Sequence, residues 1–156
     1  MAIYRKLVII METFDSTKRS LFEILKDVHS GKIQLPDFQR GWIWDDNRIK
    51  GILASVAKSF PIGAIMLLET GNENVRFKTK PVEGVKLDNE VKPELLILDG
   101  QQRITSLYQT IIANEIVTTR NEKNYAIKRW YYIDMVKAMD ENYDLEEAII
   151  SINEKK

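Results

Sequence analysis

Apolar positions along the chain fall into blocks of differing period. Leu21, Ile24, Leu25 and Val28 recur at intervals of three and four, the period of one helix face. Asp15 or Ser16 precedes them as a capping residue and Gly31 follows as a stop, so the pattern predicts a helix reaching about Ser30. Ile49, Ile52, Leu53, Val56, Ala57 and Phe60 repeat the period behind Asp45 or Asp46, and Pro61 ends that helix. A third helical face, Ile104, Leu107, Tyr108, Ile111 and Ile112, begins near Gln101 or Gln102.

Other blocks are continuous or alternating. Ala64–Leu68 and Leu95–Leu98 are short unbroken apolar runs, which predict buried strands. Residues 75–79 alternate and suit an edge strand. Pro36 keeps the segment Ile33–Trp44 extended or turned. Ile116–Thr119 predicts a short strand, and Trp130-Tyr131-Tyr132-Ile133 a strand whose aromatics pack a sheet. Leu145–Ile152 is expected as a short terminal helix, while Ile3–Met11 fits either a strand or a helix start. Lys80–Glu94, with Pro81, Gly84 and Pro93, is a long irregular stretch of the kind that carries function.

Composition narrows the chemistry. A chain of 156 residues suffices for one domain, 1–156, with a real core. It has no cysteine and one histidine, His29. Thiol catalysis, disulfides and zinc sites built on Cys or His are therefore excluded, and a reducing, cytoplasmic setting is expected. His29 lies in the last turn of the first helix, where a partial positive charge is favourable, and is read as structural. No apolar run is long enough to span a membrane, and Arg5 and Lys6 interrupt the only segment resembling a leader. The 23 basic and 23 acidic residues cancel, so bulk charge does not signal nucleic acid.

The strongest chemical signal is Leu98-Asp99-Gly100-Gln101-Gln102-Arg103, where a buried strand turns into a helix N-terminus. Free backbone N–H groups and the helix dipole suit an anion there. Arg103 adds a fork of donors, Gly100 permits close approach, and Gln101 and Gln102 offer neutral hydrogen bonds. An ordinary turn with a surface ion pair would use the same residues. A second candidate is Gln39-Arg40, flanked by Phe38, Trp42 and Trp44, which reads either as core aromatics or as a wall presenting a phosphate-gripping arginine.

Three segments taken together resemble a known family. They are Leu35-Pro36-Asp37-Phe38-Gln39-Arg40-Gly41-Trp42-Ile43-Trp44, then Phe60-Pro61-Ile62-Gly63-Ala64-Ile65, then Leu98-Asp99-Gly100-Gln101-Gln102-Arg103-Ile104-Thr105-Ser106-Leu107. Their order and spacing are similar to those of the N-terminal domain of GmrSD-type restriction proteins, over roughly Ser20 to Asp134. The resemblance implies an α+β fold of the ParB/sulfiredoxin-like kind, a small mixed sheet flanked by helices. It implies nucleoside triphosphate binding and hydrolysis, with Mg²⁺, in a regulatory domain that serves restriction of modified or foreign phage DNA. The family's phosphate-gripping motifs fall on Asp99, Gly100, Gln101, Gln102 and Arg103, and on Phe38, Gln39 and Arg40. Family members usually continue into a His-Asn-His nuclease domain, and nothing in these residues resembles it. DNA cleavage by this chain alone is not expected; a separate nuclease domain or subunit is the implied partner.

The expected division of labour follows. Arg103, Arg40 and the helix N-terminus hold phosphates; Asp99 holds Mg²⁺ or orients the attacking water; Gln101 or Gln102 positions that water. Arg103→Ala should remove nucleotide binding and leave the fold intact. The competing expectation is a DNA-sensing module without turnover, using Arg40, Arg48, Lys50, Lys78 and Lys80.

Overall fold

A computed structural model describes residues 18–71 and 77–154. The expected caps Asp15 and Ser16, the segment Ile3–Met11 and the first two residues of the 75–79 strand lie outside that range. The first described helix, α1 (Leu21–His29), is capped by Ser20, whose side chain accepts from the Glu23 amide while Glu23 reaches back to the Ser20 N–H. It buries Ile24, Leu25 and Val28. Gly31 closes it in the left-handed region, where an added Cβ would lie 2.9 Å from Leu87.

Strand β1 (Ile33–Pro36) follows, buried at every residue. Strands β2 (Met66–Glu69), β3 (Thr79–Lys80) and β4 (Leu95–Asp99) complete a mixed four-stranded sheet of order β2-β4-β1-β3. Only β1 and β4 run parallel. These two strands form the floor of the core, in which Leu35, Ile97, Ile104, Leu107 and Tyr108 meet the buried face of α1. Met66–Glu69 is half exposed, not buried as its composition suggested, because β2 is an edge strand. The irregular stretch is anchored by Val82, which is fully buried. It is also anchored by Gln34, whose buried amide donates to the carbonyls of Gly31 and Val91 at 3.0 and 2.8 Å.

Helix α2 (Asp46–Ala57) takes Asp45 as its cap. Its last turn departs from the periodic reading. Ser59 adopts a left-handed φ of 56°, and the N–H groups of Ser59 and Phe60 close back onto Val56 and Ser55. That turn carries Phe60 off the buried face and leaves it 60 % exposed. Helix α3 (Gln101–Leu107) starts where the pattern placed it and runs on as a π-helical turn, Tyr108–Ile112. His29 is held from this turn, its Nδ1 lying 2.9 Å from the Tyr108 hydroxyl, in keeping with a structural role.

A second, antiparallel sheet was not foreseen. It comprises β5 (Val117–Arg120), β6 (Ala126–Ile133) and β7 (Ile149–Asn153), in that order. The terminal segment is therefore mostly strand; only a single helical turn, α5 (Leu145–Ala148), precedes β7, and another, α4 (Met135–Ala138), follows β6. Ile149, Ile150 and Ile152 are β-branched and pair with Ile133, Tyr132 and Trp130, which outweighs their helix-like spacing. Asp46 pins this sheet to α2 by accepting from the Tyr131 hydroxyl at 2.7 Å and the Ser151 hydroxyl at 2.6 Å. The Thr119 hydroxyl donates to the Trp44 carbonyl at 2.6 Å from the same side. The whole is a small α+β fold with a mixed and an antiparallel sheet.

Candidate functional site

Strand β4 ends at Asp99, and Gly100 turns the chain into α3 with φ of 90°. A side chain at position 100 would be strained, and its Cβ would approach Ile65 and Arg103 within 3.2 and 3.3 Å. Gly100 has no side chain to cap α3, so the leading N–H groups of that helix are not satisfied by one.

The segment Gln39–Ile43 is stitched to this turn through side-chain-to-backbone hydrogen bonds. The Gln39 amide donates to the Leu98 carbonyl at 2.9 Å. Gln101, only 5 % exposed, donates to the Arg40 carbonyl at 2.7 Å. Gln102 donates to the Gly41 carbonyl at 3.1 Å and accepts from the Ile43 N–H at 2.9 Å. The Trp42 indole N–H donates to Ser106 at 3.0 Å. All three glutamines thus act as positioning residues, fixing the backbone that carries Arg40 against the backbone that carries Asp99.

Arg103 recruits the third segment. Its guanidinium donates to the carbonyls of Ile62 and Ala64 at 2.7 and 2.8 Å, and to Asp99 Oδ2 at 3.2 Å. These bonds engage three of the five donors of an arginine, leaving two for a ligand. Between the two carbonyls sits Gly63 with φ of 87°, where a Cβ would fall 2.1 Å from Arg103 Nη1. Arg103 therefore supports the fold as well as any ligand, and Arg103→Ala alone does not separate the two roles.

Two charged groups of the cluster are not committed in this way. Asp99 is 72 % exposed in its side chain, and among the described residues only Arg103 partners its carboxylate. Arg40 is exposed and makes no side-chain hydrogen bond or ion pair among the described residues. The other expected cations are differently placed. Lys80 donates to the carbonyls of Asp37 and Gln39, and Arg48 pairs with Asp45 at 3.5 Å. Of the aromatic wall, Phe38 is exposed with its ring edge-on to Phe77, whereas Trp42 and Trp44 are half-buried. Among the described residues, no group of three Asp, Glu or His side chains gathers as a metal site.

Sequence reading missed two participants. Gly63 was legible as a member of the second motif segment but given no role, since nothing local announces a guanidinium beside it. Glu83, whose carboxylate accepts from the Trp42 N–H at 3.1 and 2.9 Å, comes from the irregular stretch and carries no motif. Glu83, Trp42 and Gln109 border a cleft of about 340 Å³ beside the π-helical turn.

Comparison with known proteins agrees with this convergence. The family described as GmrSD restriction endonuclease, N-terminal domain, matches residues 21–156. A relative, an uncharacterized protein of Methanocaldococcus jannaschii (MJ0686), is 31 % identical over 147 residues, covering 92 % of this chain and 24 % of that protein. The chain thus spans about a quarter of the length of the relative it matches. No described helix is long and apolar enough to cross a membrane. With nearly the whole chain matched and all three motif segments meeting in one place, the protein belongs to the GmrSD restriction endonuclease N-terminal domain family.

Proposed function

We propose that this domain binds a nucleoside triphosphate at the Asp99–Arg103 turn, hydrolyses it, and thereby regulates restriction of modified or foreign DNA by a nuclease domain or subunit. One observation carries the reading. The three motif segments are locked together by buried and half-buried hydrogen bonds, yet the lock leaves the side chains of Arg40 and Asp99 exposed on the segments it joins.

Each residue then has a distinct role. Arg40 and the two remaining donors of Arg103 grip phosphate oxygens. Gly100 gives Arg103 and Ile65 room to pack against the turn that carries Asp99. Gln39, Gln101 and Gln102 hold the cradle's shape; Gln102, less buried than Gln101, orients a water through the amide hydrogen that its bond to Gly41 leaves free. Mg²⁺ suits Asp99 as a lone carboxylate ligand, because this ion commonly takes one or two carboxylates and fills its shell with phosphates and water. When bound, it would neutralise charge on the transferred phosphoryl group.

Phosphate release tests the reading. Purified protein with Mg²⁺ and each ribonucleoside triphosphate should liberate phosphate, and Asp99→Asn should abolish release at unchanged thermal stability. Duplex DNA, modified and unmodified, added to the same assay should alter the rate if the site regulates restriction. No release from any triphosphate in any condition refutes hydrolysis; equal release from Asp99→Asn removes the metal assignment.

A further inference from the structure

The cleft beside the motif cluster has a chemistry of its own. Its walls are Trp42, Glu83, Gln109, Ala113, Glu115 and Thr118, and it encloses about 340 Å³, at the small end of ligand pockets. No lysine or arginine lines it. Glu115 is ion-paired to Lys86, and the Glu83 carboxylate is capped by the Trp42 N–H. Gln109 donates an amide hydrogen to the Glu83 carbonyl at 3.0 Å, and its oxygen is an acceptor without a partner among the described residues. The Thr118 hydroxyl is likewise unpartnered among them. A cleft lined by acceptors and an indole, with no free cation, rejects a phosphate. Its lining suits a flat, uncharged group bearing N–H donors.

Position ties this cleft to the phosphate candidates. Gln102, Ser106, Gln109 and Ala113 form one stripe along α3 and the π-helical turn. Trp42 is fixed over the middle of the stripe by Ser106, whose hydroxyl in turn donates to the Gln102 carbonyl at 2.8 Å. Gln102 to Gln109 is seven residues, about 10 Å of helical rise, the reach of a ribose with its phosphates. The indole also lies two residues from Arg40, on the segment that Gln101 and Gln102 grip.

We propose that the cleft between Trp42 and the π-helical turn is a nucleobase pocket. It takes a base whose edge presents N–H donors to Gln109, Glu115 and Thr118, while the sugar and phosphates pass outside the Trp42 indole, which covers the fully buried Ser106, toward Asp99–Arg103. The inference rests on the nucleotide reading above and adds to it where the base sits and what distinguishes one base from another. Stacking on an aromatic face provides affinity for any base; the acceptors provide the preference.

Calorimetric titration separates this inference from the reading beneath it. Inorganic triphosphate probes the phosphate cradle alone, and the four ribonucleoside triphosphates probe cradle and cleft together, all with Mg²⁺. In the wild type at least one nucleotide should bind about tenfold or more tightly than inorganic triphosphate, the contribution of one stacked base. Ala113→Phe, which fills the cleft from the helix side, should erase that advantage and leave inorganic triphosphate binding unchanged. Thr118→Phe fills it from the strand side and serves if the first variant does not fold. Thr118→Val should narrow the spread among the four bases. Equal affinity of nucleotides and inorganic triphosphate in the wild type, or an advantage that survives both filled variants, overturns the pocket and leaves the phosphate site standing. Absence of binding by inorganic triphosphate and all four nucleotides overturns both.

Discussion

Gly63 is the position where a single methyl group should do the most damage to the motif cluster. Its φ of 87° lies in the left-handed region, and an added Cβ would fall 2.1 Å from Arg103 Nη1. The backbone strain of a non-glycine residue there is about 1–2 kcal/mol. The guanidinium is the far end of a flexible side chain and can withdraw, but withdrawal breaks its bond to the Ile62 carbonyl. A hydrogen bond to a charged group contributes about 1.5–3 kcal/mol. Gly63→Ala should therefore destabilise by about 2.5–5 kcal/mol. The mechanism is testable by a double-mutant cycle in urea denaturation. Arg103→Ala removes the obstacle and the bonds together, so in its background Gly63→Ala should retain only the backbone strain. The two changes should then fall short of additivity by about 1.5–3 kcal/mol. Additivity within about 0.5 kcal/mol would show that Gly63 and Arg103 do not act on one another and would refute the reasoning.

Other consequences follow from named contacts. The Thr105 hydroxyl is fully buried and finds no partner among the described residues, so Thr105→Val should stabilise the protein by about 1 kcal/mol, read as a rise in the urea midpoint. Loss of stability instead would reveal a partner for that hydroxyl. Gln101→Leu leaves the Arg40 carbonyl without its donor and should cost about 1–3 kcal/mol in the same experiment. Burial, then the bond to Asp46, raises the Tyr131 phenol well above its ordinary value of 10.0. The protonated phenol is favoured in the folded state, so this contribution is intact below pH 10.0 and lost as the pH climbs beyond it. Thermal midpoints should fall above that pH in the wild type and fall less steeply in Tyr131→Phe. The Lys58 hydrogen bond, with help from the Glu146 amide, holds the Asp144 carboxyl below its ordinary value of 3.8. Stability from this pair is present above pH 3.8 and declines as the carboxylate protonates at lower pH, a decline that Lys58→Met should weaken.

Much of this architecture was legible because local pattern and tertiary demand agree. The buried run Leu95–Leu98 became the strand β4, and the spacing of Ile104, Leu107 and Tyr108 became the helix that packs on it. Capping by Asp45 was written in the sequence before α2. Readings failed where the deciding partner is remote. Ile149–Ile152 carries a spacing that a helix would accept, and only pairing with Ile133 and Tyr132 selects the strand. Phe60 continues the periodic face of α2, but a left-handed Ser59 ends that face first. Met66–Leu68 looks buried because composition cannot say that a strand lies at a sheet edge.

The site divides along the same line. The motif segments converge, and Gln39, Gln101, Gln102 and Arg103 all meet in one cluster. What the motifs could not convey is that these residues already bond to backbone carbonyls across the cluster. A motif read as ligand-binding is equally a motif that holds three chain segments together, and only the hydrogen-bond geometry shows that, among the described residues, Arg40 is unpaired and Asp99 keeps just its ion pair to Arg103. Gly63 stood inside a motif segment, but its part there depends on the Arg103 side chain, and Glu83 was invisible because its partner is the backbone N–H of the remote Trp42.

The central claim, that Arg40 and the Asp99–Arg103 turn form a single triphosphate site, is best tested through Arg40, whose side chain has no other partner among the described residues. Wild type and Arg40→Ala would be titrated by calorimetry with the four Mg²⁺-bound ribonucleoside triphosphates, after thermal denaturation confirms equal stability. Loss of a charge-assisted contact to phosphate should weaken binding by about 1.5–3 kcal/mol, or roughly tenfold to a hundredfold. Unchanged affinity in the folded variant would contradict the account.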